Sequence, residues 1–114
     1  MISATLYQGE NGLTGFTAAG HSGWAESGED LICAAVSVLT CNCVNSLESV
    51  CGVIPVITQE DPEQGILAFK LPERSAEENE KAQILMGALK QGMRDLADSY
   101  PEYVRLTIQK TSQK

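Results

Sequence analysis

The stretch DLICAAVSVLTCNCVNSLESVCG, residues 30–52, decides the fold. Ile32, Val36, Leu39, Cys43, Leu47 and Val50 recur within it at steps of three and four, the period of one helix face. Leu31, Ala34, Ala35 and Val38 make the other sides apolar as well. A helix apolar all round is covered on both sides, and in a chain of 114 residues the second cover is expected to be another subunit. The helix is expected over about 30 to 50. Ser27 with Asp30 fits a Ser-x-x-Asp capping pattern, or Asp30 is itself the N-cap. Gly52 is placed to end the helix, because glycine takes the left-handed conformation without a Cβ penalty.

Outward from this helix the periods change. Residues 2–8 alternate, with Ile2, Ala4 and Leu6 on one side, and residues 13–19 are again small and β-compatible. Asn11-Gly12 between them is a hairpin-turn signal, since both residues tolerate positive φ. Residues 20–29, GHSGWAESGE, read as a mobile connector with three glycines and two serines. After the helix, residues 53–58 read as a short strand, and Pro55 inside it points to an edge or a bulge. Residues 59–65 read as an acidic turn with Pro62, and residues 64–71 as the strand that closes a second hairpin. Ser75 and Glu78 form a capping box for a second helix reaching about Ser99, with Ala82, Leu85, Leu89, Met93 and Leu96 as its apolar stripe. Pro101 stops it. Residues 103–110 alternate, with Val104, Leu106 and Ile108 facing in. The expected fold is a single α+β domain over residues 1–114 in the order ββαββαβ, a small, mostly antiparallel sheet packed with two long helices.

Charge excludes several functions. The formal net charge is −7, and no Lys or Arg precedes Lys70, whereas Glu10, Glu26, Glu29, Asp30, Glu48, Glu60, Asp61 and Glu63 all do. Nucleic-acid binders neutralise phosphates with basic side chains, so nucleic acid is not the expected partner. An anionic membrane surface is disfavoured for the same reason. A basic partner is the electrostatic match. The N-terminus has no basic and apolar signal pattern, and no apolar run is expected to span a bilayer, so the expected location is the cytoplasm.

The four cysteines are Cys33, Cys41, Cys43 and Cys51. On one helix Cys41 lies about 80° round from Cys33 and about 12 Å further along, and Cys33 and Cys51 are about 27 Å apart. Such spacings close no disulfide and chelate no zinc, and His21 adds no recognised metal spacing. No metal and no other cofactor is expected. Cys41, Cys43 and Cys51 read as small apolar core residues.

Cys33 is different. It falls in the first or second turn of the helix, where unpaired N–H groups and the helix dipole favour a thiolate. The single histidine, His21, sits on the glycine-flanked connector just ahead, which is long enough to bring an imidazole beside the sulfur. A thiol and a base within hydrogen-bond reach suffice for nucleophilic catalysis, and helix-end N–H groups could hold an oxyanion. Against this, one Cys and one His twelve residues apart are commonly unrelated. Asp30 has two competing roles, helix cap and orienter of His21. Ser37 lies one turn beyond Cys33 on the same face, as a substrate contact or as a hydroxyl bonded back to a helix carbonyl. Trp24 reads as a loop anchor or a groove-lining side chain.

The run Gly20-His21-Ser22-Gly23, followed by Asp30-Leu31-Ile32-Cys33-Ala34-Ala35-Val36-Ser37, resembles the ribosomal-processing cysteine protease family. The resemblance extends over the whole chain in length and element order. It implies a small homodimeric bacterial cysteine endopeptidase that removes the N-terminal extension of large-ribosomal-subunit protein twenty-seven, a basic protein. It implies Cys33 as nucleophile and His21 as general base, with Asp30 the acid within the motif. Gly20, Ser22, Gly23 and Ser37 would lie against the extended peptide. Two other readings compete. One is an acidic module that escorts a basic ribosomal protein without catalysis. The other is an acyltransferase or thioesterase, for which the sequence offers no phosphate-cradling glycine motif.

Overall fold

The computed structural model describes residues 1–21 and 30–114, so the readings made for Ser22, Gly23, Trp24 and Ser27 lie outside the described residues. Two strands, β1 (Ile2–Gly9) and β2 (Gly12–Ala19), precede the helix α1 (Leu31–Cys51). Strands β3 (Val56–Asp61) and β4 (Ile66–Lys70), the helix α2 (Ala76–Ser99) and the strand β5 (Val104–Lys110) follow. The order ββαββαβ is the expected one.

The strands form one mixed sheet in the order β3-β4-β2-β1-β5. All pairs are antiparallel except β1 with β5, which run parallel in the register Ile2↔Val104 to Gln8↔Lys110. The parallel pair follows from connectivity, because α2 must cross the sheet before β5 can join the far side of β1. One face of the sheet carries Ile2, Ala4, Leu6, Phe16, Phe69 and Val104, which share a core with Ile32, Val36, Cys43 and Leu47 of α1 and Ala82, Met86, Leu89 and Met93 of α2. Tyr7, Thr17, Arg105 and Thr107 alternate with the inward positions, and Tyr7 Oη bonds Thr17 Oγ1 at 3.3 Å. A sheet covered by helices on one face and wet on the other reads as this alternation.

Both helix starts follow from their caps. Asp30 is the N-cap of α1, accepting from the N–H groups of Ile32 and Cys33. Ser75 caps α2 in a full capping box, its Oγ accepting from Glu78 N–H at 3.1 Å while Glu78 Oε1 accepts from Ser75 N–H at 2.8 Å. The Ser75 backbone donor holds the Glu78 carboxyl below its ordinary pKa. At the far end of α1, Gly52 turns left-handed with φ +69, and its N–H reaches Glu48 O at 3.0 Å.

Several expectations are corrected. The third strand starts at Val56, not Val53, and runs through Asp61, so residues 59–61 belong to the strand and the turn shrinks to residues 62–65. Val53 is instead tied to the end of α1, its N–H on Leu47 O at 2.9 Å, and Pro55 has no donor to open a ladder. The expected edge position of this strand holds, while its register shift falls between Ile57 and Gln59 and not at Pro55. On α1, Thr40 is buried where Val50 was expected, its Oγ1 donating to Val36 O at 2.8 Å, while Val50 is 71% exposed. The outer side of α1 is uncovered in the single chain. Leu31 and Val38 are each 67% exposed, but Asn42, Asn45 and Ser49 continue that side, so its apolar part is confined to the first two turns. Met86 joins the α2 stripe, and Ile108 at the end of edge strand β5 is exposed rather than inward. Contrary to expectation, α1 is long and apolar enough by length and composition to cross a membrane. Its side bearing Ile32, Val36, Cys43 and Leu47 packs in the core of the domain.

Candidate active site

A groove of about 710 Å³ opens where three parts of the fold meet. The end of β2 supplies Gly20 and His21, the first three turns of α1 supply Asp30, Cys33, Ser37, Thr40 and Cys41, and the β3–β4 hairpin supplies Glu60, Glu63, Gly65 and Leu67. Sheet order makes this possible. Strand β4 lies beside β2, so the β3–β4 turn stands next to the point where the chain leaves β2 at Gly20. The Cys33 and His21 expected to act together therefore line one groove, from a helix start and a strand end.

Cys33 is half-buried, and its Sγ donates to Asp30 Oδ2 at 3.1 Å. The other carboxylate oxygen, Oδ1, accepts from Ile32 N–H at 3.1 Å and Cys33 N–H at 3.0 Å. Asp30 is buried, and its main-chain carbonyl also accepts from Ala34 N–H at 3.0 Å. The competing readings of Asp30 thus resolve toward the cap, with the second oxygen given to the thiol. This corrects the expectation of free N–H groups beside the sulfur, because the donors of Ile32, Cys33 and Ala34 are all engaged by Asp30.

His21 is exposed on the groove rim, its Nε2 3.1 Å from the main-chain oxygen of Glu63. Gly20 has φ +99, and a Cβ there would run into Met1 O, so this position needs glycine for its own chain's sake. Ser37 is exposed on the groove wall, and the hydroxyl bonded back to a helix carbonyl on α1 is that of Thr40. None of the four cysteines forms a disulfide. Cys43 is buried near Leu85 O and Met86 Sδ, and burial, with Cys51 adding to it, pushes its thiol up to about 11. Cys41 was read as a core residue, but it is exposed on the groove wall. At 100° per residue it lies about 80° round from Cys33 but only about 40° from Ser37, within the broad side of the helix that lines the groove. Among the described residues, no group of three His, Cys, Asp or Glu side chains could hold a metal ion.

Sequence reading missed Glu60, Glu63 and Gly65. The turn signal of residues 59–65 was visible, but nothing local says that this turn meets His21.

Asp30 yields a separable prediction. Asp30→Ala removes both the cap and the thiol partner and is expected to cost about 1 kcal/mol of stability. Asp30→Asn keeps an oxygen for the cap and is expected to melt near the wild type, while its amide can no longer accept from the thiol. Equal melting losses in the two variants, by thermal circular dichroism, would count against the cap.

The fold and groove define a small α+β domain whose cleft is lined by a cysteine, a histidine and a buried carboxylate. Residues 1–105 match the model of the family described as cysteine protease Prp, and the chain belongs to that family. A ribosomal processing cysteine protease Prp from Bacillus subtilis is 29% identical over 109 residues, covering 94% of this chain and 96% of its own. Among solved structures, SMU.848 from Streptococcus mutans aligns with TM-score 0.84 at 32% identity, over 97% of this chain and 96% of its own. The ribosomal processing protease Prp from S. aureus, crystallised with a covalently linked product peptide, shares the fold with TM-score 0.84 at 23% identity, over 96% of this chain and 100% of its own.

Proposed function

We propose that this chain removes the N-terminal extension of bacterial large-ribosomal-subunit protein twenty-seven, with Cys33 as nucleophile and His21 as general base. The observation that carries this reading is the single groove lined by both side chains, with a buried carboxylate on the sulfur. In this mechanism His21 takes the thiol proton, which Asp30 Oδ2 accepts as a hydrogen bond at rest. The thiolate attacks the scissile carbonyl and forms a C–S bond. The tetrahedral oxyanion collapses, and the C–N bond breaks as His21 returns its proton to the leaving amine. Water then hydrolyses the thioester and regenerates the thiol. Gly20, Ser22, Gly23 and Ser37 are assigned to the bound peptide, and the bacterial cytoplasm is the compartment.

A basic substrate suits the groove, since Glu60 and Glu63 stand in its wall and the chain carries −7. A second copy of the chain is the occupant assigned to the outer side of α1 around Leu31 and Val38. Light scattering that finds only a 12.2 kDa species would overturn that dimer.

The test is mass spectrometry of the ribosomal protein after incubation with this protein. One new N-terminus is expected, and kcat/KM should fall as salt screens the acidic groove. An intact substrate would favour the escort reading. Iodoacetamide separates the two independently. An enzyme should show fast, pH-dependent modification of Cys33, with Cys43 unmodified at neutral pH because burial both shields its thiol and pushes it up to about 11.

A further inference from the structure

We infer that the β3–β4 turn is the third part of the catalytic apparatus, with the Glu63 main-chain carbonyl orienting His21 and Gly65 as a positioning residue. This rests on the reading of His21 as the general base. Histidine-based catalysis needs one ring nitrogen anchored and the other free. His21 Nε2 lies 3.1 Å from Glu63 O. A carbonyl oxygen only accepts, so Nε2 carries the hydrogen and Nδ1 keeps the lone pair. The base toward Cys33 is therefore Nδ1. Once that nitrogen takes the thiol proton, Nε2–H becomes a charge-assisted donor to the same oxygen, which stabilises the imidazolium.

The turn is built to present that oxygen. Its own donors are spent internally, Gln64 N–H on Asp61 Oδ1 at 3.3 Å and Gly65 N–H on Pro62 O at 3.3 Å. Gly65 has φ +63 and lies flat against the segment that carries the base. A Cβ at this position would stand 2.5 Å from Gly20 O and 3.1 Å from His21 Cε1. The closest collision is thus with backbone, which cannot yield as a flexible side chain would, and the next is with the His21 ring itself. Any side chain here must push the turn away from Gly20 and His21, and the Glu63 carbonyl moves with it. Asp30 was read as helix cap or as orienter of His21, and its carboxylate caps the helix and accepts from the thiol. A main-chain oxygen from a neighbouring hairpin takes the anchoring role.

Two measurements test this. The chain has a single histidine, so ¹⁵N spectra of its imidazole report His21 alone. The neutral wild-type ring is expected as one locked Nε2–H tautomer, relaxing to an exchanging mixture in Gly65→Ala. In the same variant kcat is expected to fall about tenfold or more, a part of the roughly 10²–10⁴-fold that a general base contributes in full, with KM little changed. Gly65→Asn carries the same Cβ but tolerates positive φ, so it separates the collision from backbone strain. Gly87→Ala, an exposed helix position with open space around its Cβ, is the control and should cleave normally. A wild-type Nδ1–H tautomer, or an unanchored exchanging ring, would overturn the inference even if both Gly65 variants failed to fold. Folded Gly65 variants with wild-type kcat and an unchanged ring would overturn it as well, while His21→Ala still abolishes cleavage. If His21→Ala cleaves normally, the general-base reading fails first and takes this inference with it.

Discussion

Cys33→Ala is expected to abolish cleavage of a peptide spanning the processing site while leaving the domain folded. The loss should be on the order of 10⁶-fold, the scale reached when a catalytic nucleophile is removed, since alanine can form no thioester. The fold should barely register the change. The sulfur is half-buried, and its partner Asp30 keeps both cap hydrogen bonds through Oδ1. A stability change of about 1 kcal/mol or less is expected. Chromatography of cleaved and intact peptide gives the rate, and a thermal melt gives the fold. The control is Cys41→Ala, because Cys41 is an exposed thiol on the same groove wall. Retained cleavage in Cys33→Ala with loss in Cys41→Ala would transfer the nucleophile to Cys41.

Leu47→Ala should produce the largest loss of stability. Leu47 is 0% exposed and sits on the inward side of α1, within the core formed by the sheet and both helices. Its carbonyl also accepts the Val53 N–H that ties the chain after the helix. Truncation removes the buried methyl groups and leaves a cavity that rigid neighbours fill only in part, which costs about 2–5 kcal/mol. Small domains hold only about 5–15 kcal/mol in total, so this is a large share. Urea unfolding should show a lower midpoint with an unchanged slope. Val50→Ala, three residues on and 71% exposed, should stay within about 0.5 kcal/mol for the isolated chain. If the two variants lose equal stability, the assignment of the helix faces is wrong.

The pair of helix residues also shows where sequence reading reached its limit. Leu47 and Val50 belong to the same stripe by spacing, yet one is fully buried and the other open. Periodicity gives a direction around the helix, but it does not say how far the sheet beneath extends. Near Gly52 the helix runs past its cover, and Thr40, placed centrally, is buried instead because its hydroxyl is satisfied by Val36 O. The end of α1 followed the same pattern. Gly52 was legible as a stop, whereas the role of Val53 was not. Its apolar side chain suited a strand, and only the tertiary structure ties its N–H to Leu47.

By itself the sequence determined the element order, the capping box of α2, the acidic character of the chain and the candidate pair Cys33 and His21. These depend on local spacing, on side chains that bond to neighbouring backbone, and on a motif. Tertiary structure alone decided what Asp30 and His21 bind. The sequence offered Asp30 as cap or as partner of His21. Its two carboxylate oxygens lie within reach of Ile32, Cys33 and the thiol, and those bonds settle the cap. The partner of His21 lies 42 residues away, on a turn brought near because β4 pairs with β2. That partner is a main-chain oxygen, which every residue possesses and no residue type announces, so only the fold could select it.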